Sequence, residues 1–289
     1  MKTRHILCLV VLAAVFFGVV AGGSLRAQDP AGPQAPVKAP AVVRIPTTSN
    51  PAADAPSIPP EEIIRRFSAQ EDESARAVAG YVYRKSVRVE ELGPDGKAAG
   101  LAEIVVTPVV SADGVRWQRP VGEPDSTLRF LTLQRDDLDA LSKTPLFPFG
   151  TAQILKYQIA YQGRQPVDEL TTYIFRVTPK QLDRDHPYFD GLIWVDDHDL
   201  AIVRIYGKWV TDEGPMTSGQ LPFTMFETYR QPVANKYWMP AYTRSDSSVT
   251  SKLGTAAVRL IIKWDQYTPL PAGQGVKASG LPAKDAGAP

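Results

Sequence analysis

The sequence predicts an α+β fold that is mostly β: a strongly curved antiparallel sheet with an N-terminal helix and one short helix in mid-chain. Three observations carry this. Apolar side chains alternate with a period of two in segment after segment, polar turn-forming stretches separate those segments at short intervals, and helical periodicity is confined to the domain's start and to one interruption.

The chain opens with Lys2 and Arg4, an apolar run from Ile6 to Val20, and small residues ending in Leu25-Arg26-Ala27. That pattern predicts a secretory signal peptide over residues 1–27 and a periplasmic location. The apolar run is shorter than the ~20 residues a spanning helix prefers, and an uncleaved signal-anchor stands as the alternative because Leu25 suits the peptidase poorly. The single cysteine, Cys8, lies inside this run, so the mature chain has no thiol. Disulfides, cysteine nucleophiles and thiolate metal sites are thereby excluded, and stability must come from a core. Cleavage removes Lys2, Arg4 and Arg26, taking the 32 basic residues to 29 against 31 acidic ones. With no basic block or aromatic-basic interleaving, nucleic acid is not an expected partner.

Residues 28–60 are rich in Pro, Ala, Ser and Thr, with prolines at 30, 33, 36, 40, 46, 51, 56, 59 and 60. Such a stretch favours extended polyproline conformations and has too few apolar side chains to offset ordering entropy, so it predicts a disordered arm. The tail at 269–289 reads the same way, which leaves residues 61–268 as one large domain. Its first element is an amphipathic helix: Pro60 occupies the first helical position, Glu61 and Glu62 complement the positive helix end, and Ile63, Ile64, Phe67 and Ala75 form a stripe.

Strands follow in quick succession, joined by turns at Gly93–Gly96, Ala112–Gly114, Gln162–Arg164, Asp196–Asp199, Asp212–Pro215 and Ser251–Gly254. The segment Arg135–Phe149 predicts a short helix ended near Thr144-Pro145 that lies across the sheet. Alternation is strongest where Leu155, Tyr157, Ile159 and Tyr161 share one face and where Val258, Leu260, Ile262 and Trp264 share another. In the hairpin Tyr188–Gly207, alternation assigns Ala201, Val203 and Ile205 to one face and Ile202, Arg204 and Tyr206 to the other. A single sheet this wide must curl, and its concave apolar face must be covered by closure or by helices.

Catalytic signatures are absent: there is no Gly-x-Ser-x-Gly elbow and no phosphate-cradling loop followed by a helix. The mature chain's two histidines fall in Asp183-Arg184-Asp185-His186 and Asp196-Asp197-His198-Asp199. A hydrolytic site built from Asp185, His186, Asp196 and His198 is the functional reading of these clusters; turn chemistry is the plainer one, since Asp side chains bond their own backbone where a chain reverses. No catalytic residue, metal site or cofactor is expected. The remaining signal is the inward-facing aromatics, which form either a filled core or the lining of an apolar cavity. The candidate lining comprises Tyr81, Tyr83, Tyr157, Tyr161, Tyr173 and Phe175, with the aliphatics Leu155, Ile159, Val203 and Ile205.

The hairpin carries a family likeness. Ile193-Trp194-Val195-Asp196, a polar turn, and Ile202-Val203-Arg204-Ile205 resemble the recurring hairpin of the outer-membrane lipoprotein-sorting proteins, the LolA-like carriers, of which this chain is a divergent version. The resemblance implies an incomplete barrel with helices as a lid over an apolar cavity, binding acyl chains of lipids or lipoproteins without catalysis. The expected partner is a lipid or an acylated protein, with only indirect membrane association; the alternative is an envelope scaffold whose core is filled and whose arm or sheet edge binds another protein.

Overall fold

Pro60 and the acidic pair Glu61 and Glu62 start α1 (Pro60–Val78) directly from the proline-rich stretch. The computed structural model describes residues 55–110, 116–142, 144–217 and 220–270. The expected signal peptide, the arm up to residue 54, the turn at 112–114 and the tail from 271 lie outside the described residues. After α1 come β1 (Tyr81–Leu92), β2 (Ala98–Val110), β3 (Arg116–Ser126) and α2 (Arg135–Ser142). They are followed by β4 (Tyr157–Val167), β5 (Leu170–Pro179), β6 (Tyr188–Asp196), β7 (Ile202–Thr211) and the two-residue β8 (Gly214–Pro215). The last strands are β9 (Met225–Val233), β10 (Tyr237–Ser251) and β11 (Gly254–Pro269).

Among the described residues these strands form one antiparallel sheet in the order β3-β2-β1-β11-β10-β9-β7-β6-β5-β4, with β8 paired to β7. β3 and β4 end that order without meeting, so the sheet is not closed: it is the expected incomplete barrel. The tight turns fall where their residues demand. Gly96 and Gly254 have φ of 76° and 115°, conformations in which a side chain is strained, at the β1–β2 and β10–β11 reversals.

The inner face is covered in two halves. Over β4–β7, Ile63 and Phe67 of α1 pack with Tyr157, Tyr173, Phe175, Phe189, Ile193 and Ile205. Over β1 and β11, Leu141 at the end of α2 packs with Val87, Val89, Leu260, Ile262 and Trp264. A third cluster, Trp194 with Leu192, Ile174, Val167 and Val203, forms apart from these two, and Arg204 stacks on the Trp194 ring at 4.2 Å.

Four sequence expectations are corrected here. Trp194 pairs with Arg204 but its neighbour Val195 pairs with Ile202, leaving Val203 as the extra residue of a β-bulge. The bulge breaks the alternation, so Ile202 joins Ile205 in the α1 core while Val203 joins Trp194 and Tyr206 in the third cluster. Ile154–Lys156 is a single 3₁₀ turn rather than strand, which leaves Leu155 71% exposed. Gln162–Arg164 is likewise a bulge within a continuous β4, and the chain reverses instead after Val167, where Asp168 takes φ 51°. On α1, Ala75 is exposed while Ser68, Glu71 and Ser74 are buried, because the inward face must deliver the Glu71 carboxylate described below.

Gly191 and Gly207 oppose each other on β6 and β7, and the Phe189 ring folds back across both. A Cβ at Gly191 would lie 2.2 Å from the Tyr206 carbonyl oxygen and 2.6 Å from Phe189 Cζ. Gly191→Ala is therefore expected to destabilise by about 1–3 kcal/mol, as overpacking does. Urea denaturation measures it, and a wild-type midpoint would show that the backbone there yields freely.

Candidate functional site

One register row explains why the sheet is not filled everywhere. Ile193, Ile205, Thr228, Thr243, Ile262, Val87 and Ile104 stand side by side from β6 to β2. Large aliphatic side chains occupy both flanks, under the two helices, and threonines occupy the middle on β9 and β10. Above them lies a cavity of about 240 Å³. Phe189, Ile205 and Trp209 form its wall from the α1 half, and Leu260, Ile262 and Trp264 form the opposite wall. Phe223 and Phe226 complete the wall, and Leu141, Thr144, Pro145, Leu146 and Pro148 of α2 and the segment after it form the roof.

The wall is mostly apolar; three of its hydroxyls have partners within the sheet, while the buried indole N–H of Trp209 has none among the described residues. Thr228 and Thr243 bond each other at 2.7 Å, and Ser245 donates to the Met225 carbonyl. These bonded hydroxyls add little demand for water, so the site suits a mainly apolar occupant, with the Trp209 N–H as a donor left over.

The roof is held at both ends by carboxylates. Asp137 of α2 accepts the backbone N–H groups of Gln134 and Gln220, each at 2.9 Å, which caps the helix and ties it to the loop before β9. At the other end, Glu71 of α1 and Arg230 of β9 form an ion pair in which both side chains are 2% exposed. Arg230 Nη2 also donates to the Leu146 carbonyl at 3.2 Å, and Glu71 Oε2 accepts the Phe149 N–H at 3.4 Å. Asp72 accepts from Thr151 through its N–H at 3.1 Å and its hydroxyl at 2.6 Å. The buried Glu71–Arg230 pair thus joins a helix, a strand and the roof, with the exposed Asp72–Thr151 bonds beside it.

Of the ten residues expected to line a cavity, Ile205 does so. Tyr157, Tyr173 and Phe175 are buried in the α1 core, with Ile159 and Tyr161 packed against it. There Tyr157 accepts the Phe189 N–H at 3.1 Å, and Tyr173 bonds Ser57 and Arg164, each at 3.0 Å. Tyr83 belongs to the α2 core and Tyr81 meets the Tyr267 ring edge-to-face; Val203 and Leu155 lie where the bulge and the 3₁₀ turn put them. The threonines carry no sequence signal of their own, since β9 and β10 are mixed strands in which Arg230 and Ser245 are also buried.

The two Asp/His clusters do not converge. His186 precedes β6 and His198 follows it, and nine extended residues separate them by about 3.3 Å each. Among the described residues, Asp196, His198 and Asp199 are the one group of three whose candidate ligand atoms all lie within 4.8 Å of one another. Asp196 accepts the N–H groups of His198 at 3.2 Å and Asp199 at 2.6 Å, which is the turn the sequence predicts. The Asp199 carboxylate, bonded to the exposed His198 ring, pushes the imidazole's pKa up.

No family model matches the chain, and no curated protein does. Among solved structures it is similar to a DUF1329 family protein from Desulfovibrio piger, at 15% identity over 72% of this chain and 94% of that one, with a TM-score of 0.34. It is similar to a LolA superfamily protein from Nitrosomonas europaea, at 13% identity over 76% and 99% of the two chains, with a TM-score of 0.33. A putative outer membrane lipoprotein-sorting protein domain from Vibrio parahaemolyticus is similar at 10% identity over 71% and 93%, with a TM-score of 0.34.

Proposed function

We propose that this protein is an exported, noncatalytic carrier that holds one acyl chain, on a lipid or a lipid-modified protein, in the cavity between its two cores. The supporting observation is that cavity: apolar, roofed by a segment anchored at its ends, and left open by threonines in the middle of the sheet. Its 240 Å³ corresponds to roughly eight methylenes if each takes about the ~30 Å³ of a water molecule. Burying eight methylenes contributes about 6 kcal/mol, which lies between the free energies of ~1 mM and ~1 μM binding. A triacylated anchor would need the roof to open further, whereas a single medium-length chain fits beneath it.

Titration with decanol, followed by displacement of a fluorescent acyl probe, tests the reading. One saturable site is expected. Ile262→Trp, which fills the space, should weaken uptake at least about tenfold while leaving the thermal midpoint near or above wild type. No saturable uptake by the wild-type protein, or equal uptake by the filled variant, overturns it.

A further inference from the structure

Among the described residues the other buried charges are matched. Glu71 and Arg230 hold each other, Arg204 holds Glu227, and Glu91 accepts the backbone N–H groups of Arg129, Phe130 and Leu131. Lys85 on β1 is the exception: it is 4% exposed, and among the described residues no carboxylate lies within ion-pair distance of it. It sits directly opposite Trp264 of β11, and its Nζ lies 5.7 Å from the centre of that ring. Trp264 is the cavity wall on this side. Lys85 is not itself a lining residue, but its flexible four-carbon stem places the ammonium against the ring that forms this wall. The ring face attracts the charge but offers no hydrogen-bond acceptor in place of lost water. A buried charge left in that condition calls for a partner.

We propose that the ligand of this cavity is an acyl chain with a carboxylate head, and that Lys85 is the residue that pairs with the head beside Trp264. The assignment rests on the acyl-binding reading and adds the chemistry of the ligand's polar end. Thr228, Thr243 and Ser245 are poor competitors for that role because they are already bonded within the sheet, and the unpartnered Trp209 N–H offers one neutral donor where Lys85 offers a charge. The ammonium supplies three donors to two carboxylate oxygens, a charge-assisted contact that decanol cannot make in full.

The experiment compares decanoate with decanol by calorimetric titration of the wild-type, Lys85→Met and Lys85→Arg proteins. The wild type is expected to prefer decanoate by about tenfold or more. Lys85→Met should abolish the preference by weakening decanoate far more than decanol, and Lys85→Arg should keep most of it, which separates loss of charge from damage to packing. Equal affinities in the wild type, or a decanoate preference that survives Lys85→Met, overturn the assignment. If neither compound binds the wild type, the cavity reading itself fails and this assignment falls with it.

Discussion

Arg230→Met is expected to destabilise the protein by about 3–5 kcal/mol, because it strands the Glu71 carboxylate in a site where both partners are 2% exposed. Against the 5–15 kcal/mol that typically holds a domain folded, that is a large fraction. Glu71→Gln should cost less, since the amide still offers an oxygen to Arg230 although the guanidinium loses its counter-charge. The double variant Glu71→Leu with Arg230→Met should regain most of the loss, as replacing a whole buried pair by apolar groups is often nearly neutral. Stability and roof closure should then come apart. The double variant still lacks the Arg230 bond to the Leu146 carbonyl and the Glu71 bond to the Phe149 N–H. Amide hydrogen exchange over residues 146–151 should stay faster than wild type even where the urea midpoint has recovered. A single-variant cost below about 1 kcal/mol, or a double variant no better than either single one, would show that the pair is solvated and not part of the roof's anchorage.

The same ion pair shows where sequence legibility stops. Local patterns were readable: Val258, Leu260, Ile262 and Trp264 do share the face their spacing predicts, and the Arg135–Ser142 helix lies over the sheet. Pro60 and the acidic first turn mark the start of α1. Glu71, by contrast, reads as an ordinary helix-surface carboxylate until the fold brings Arg230 to it from 159 residues away. The bulge at Val203 was hidden for a different reason. Residues 201, 202, 203 and 205 are all apolar, so inserting one unpaired residue leaves a hydrophobic string that alternation alone reads in the wrong register. The cavity was hidden for a third. It comes from a row crossing strands far apart in sequence, and only their register sets Thr228 beside Thr243 between Ile205 and Ile262. Aromatic residues drew attention as lining because they are large. For that same reason they fill space, and Tyr157, Tyr173 and Phe175 are buried under Ile63 and Phe67.

Lys85→Met is expected to stabilise the empty protein at pH 7 by on the order of 3 kcal/mol, the reverse of the usual effect of altering a buried residue. Burial lowers the Lys85 amine from 10.5 to about 8. Below pH 8 the folded and unfolded chains both carry the proton, and the folded state bears the whole cost of an ammonium out of water. Between about pH 8 and 10.5 the folded protein releases the proton while the unfolded chain keeps it, so the penalty shrinks as pH rises; above 10.5 both are neutral and it is gone. The stability gap between variant and wild type should therefore be widest at pH 7 and close towards pH 10.5, a trend that urea denaturation at several pH values measures. Decanoate should narrow the gap at pH 7 as well, by stabilising the wild type more than the variant, because a bound carboxylate supplies the missing counter-charge. A variant equal to or less stable than wild type at pH 7 would mean that the Trp264 ring and residual solvent already compensate the amine, and Lys85 would then need no ligand to explain it. If the gain appears and decanoate cancels it, the residue that weakens the empty fold is the one that recognises what fills it, the trade between stability and function that binding sites make.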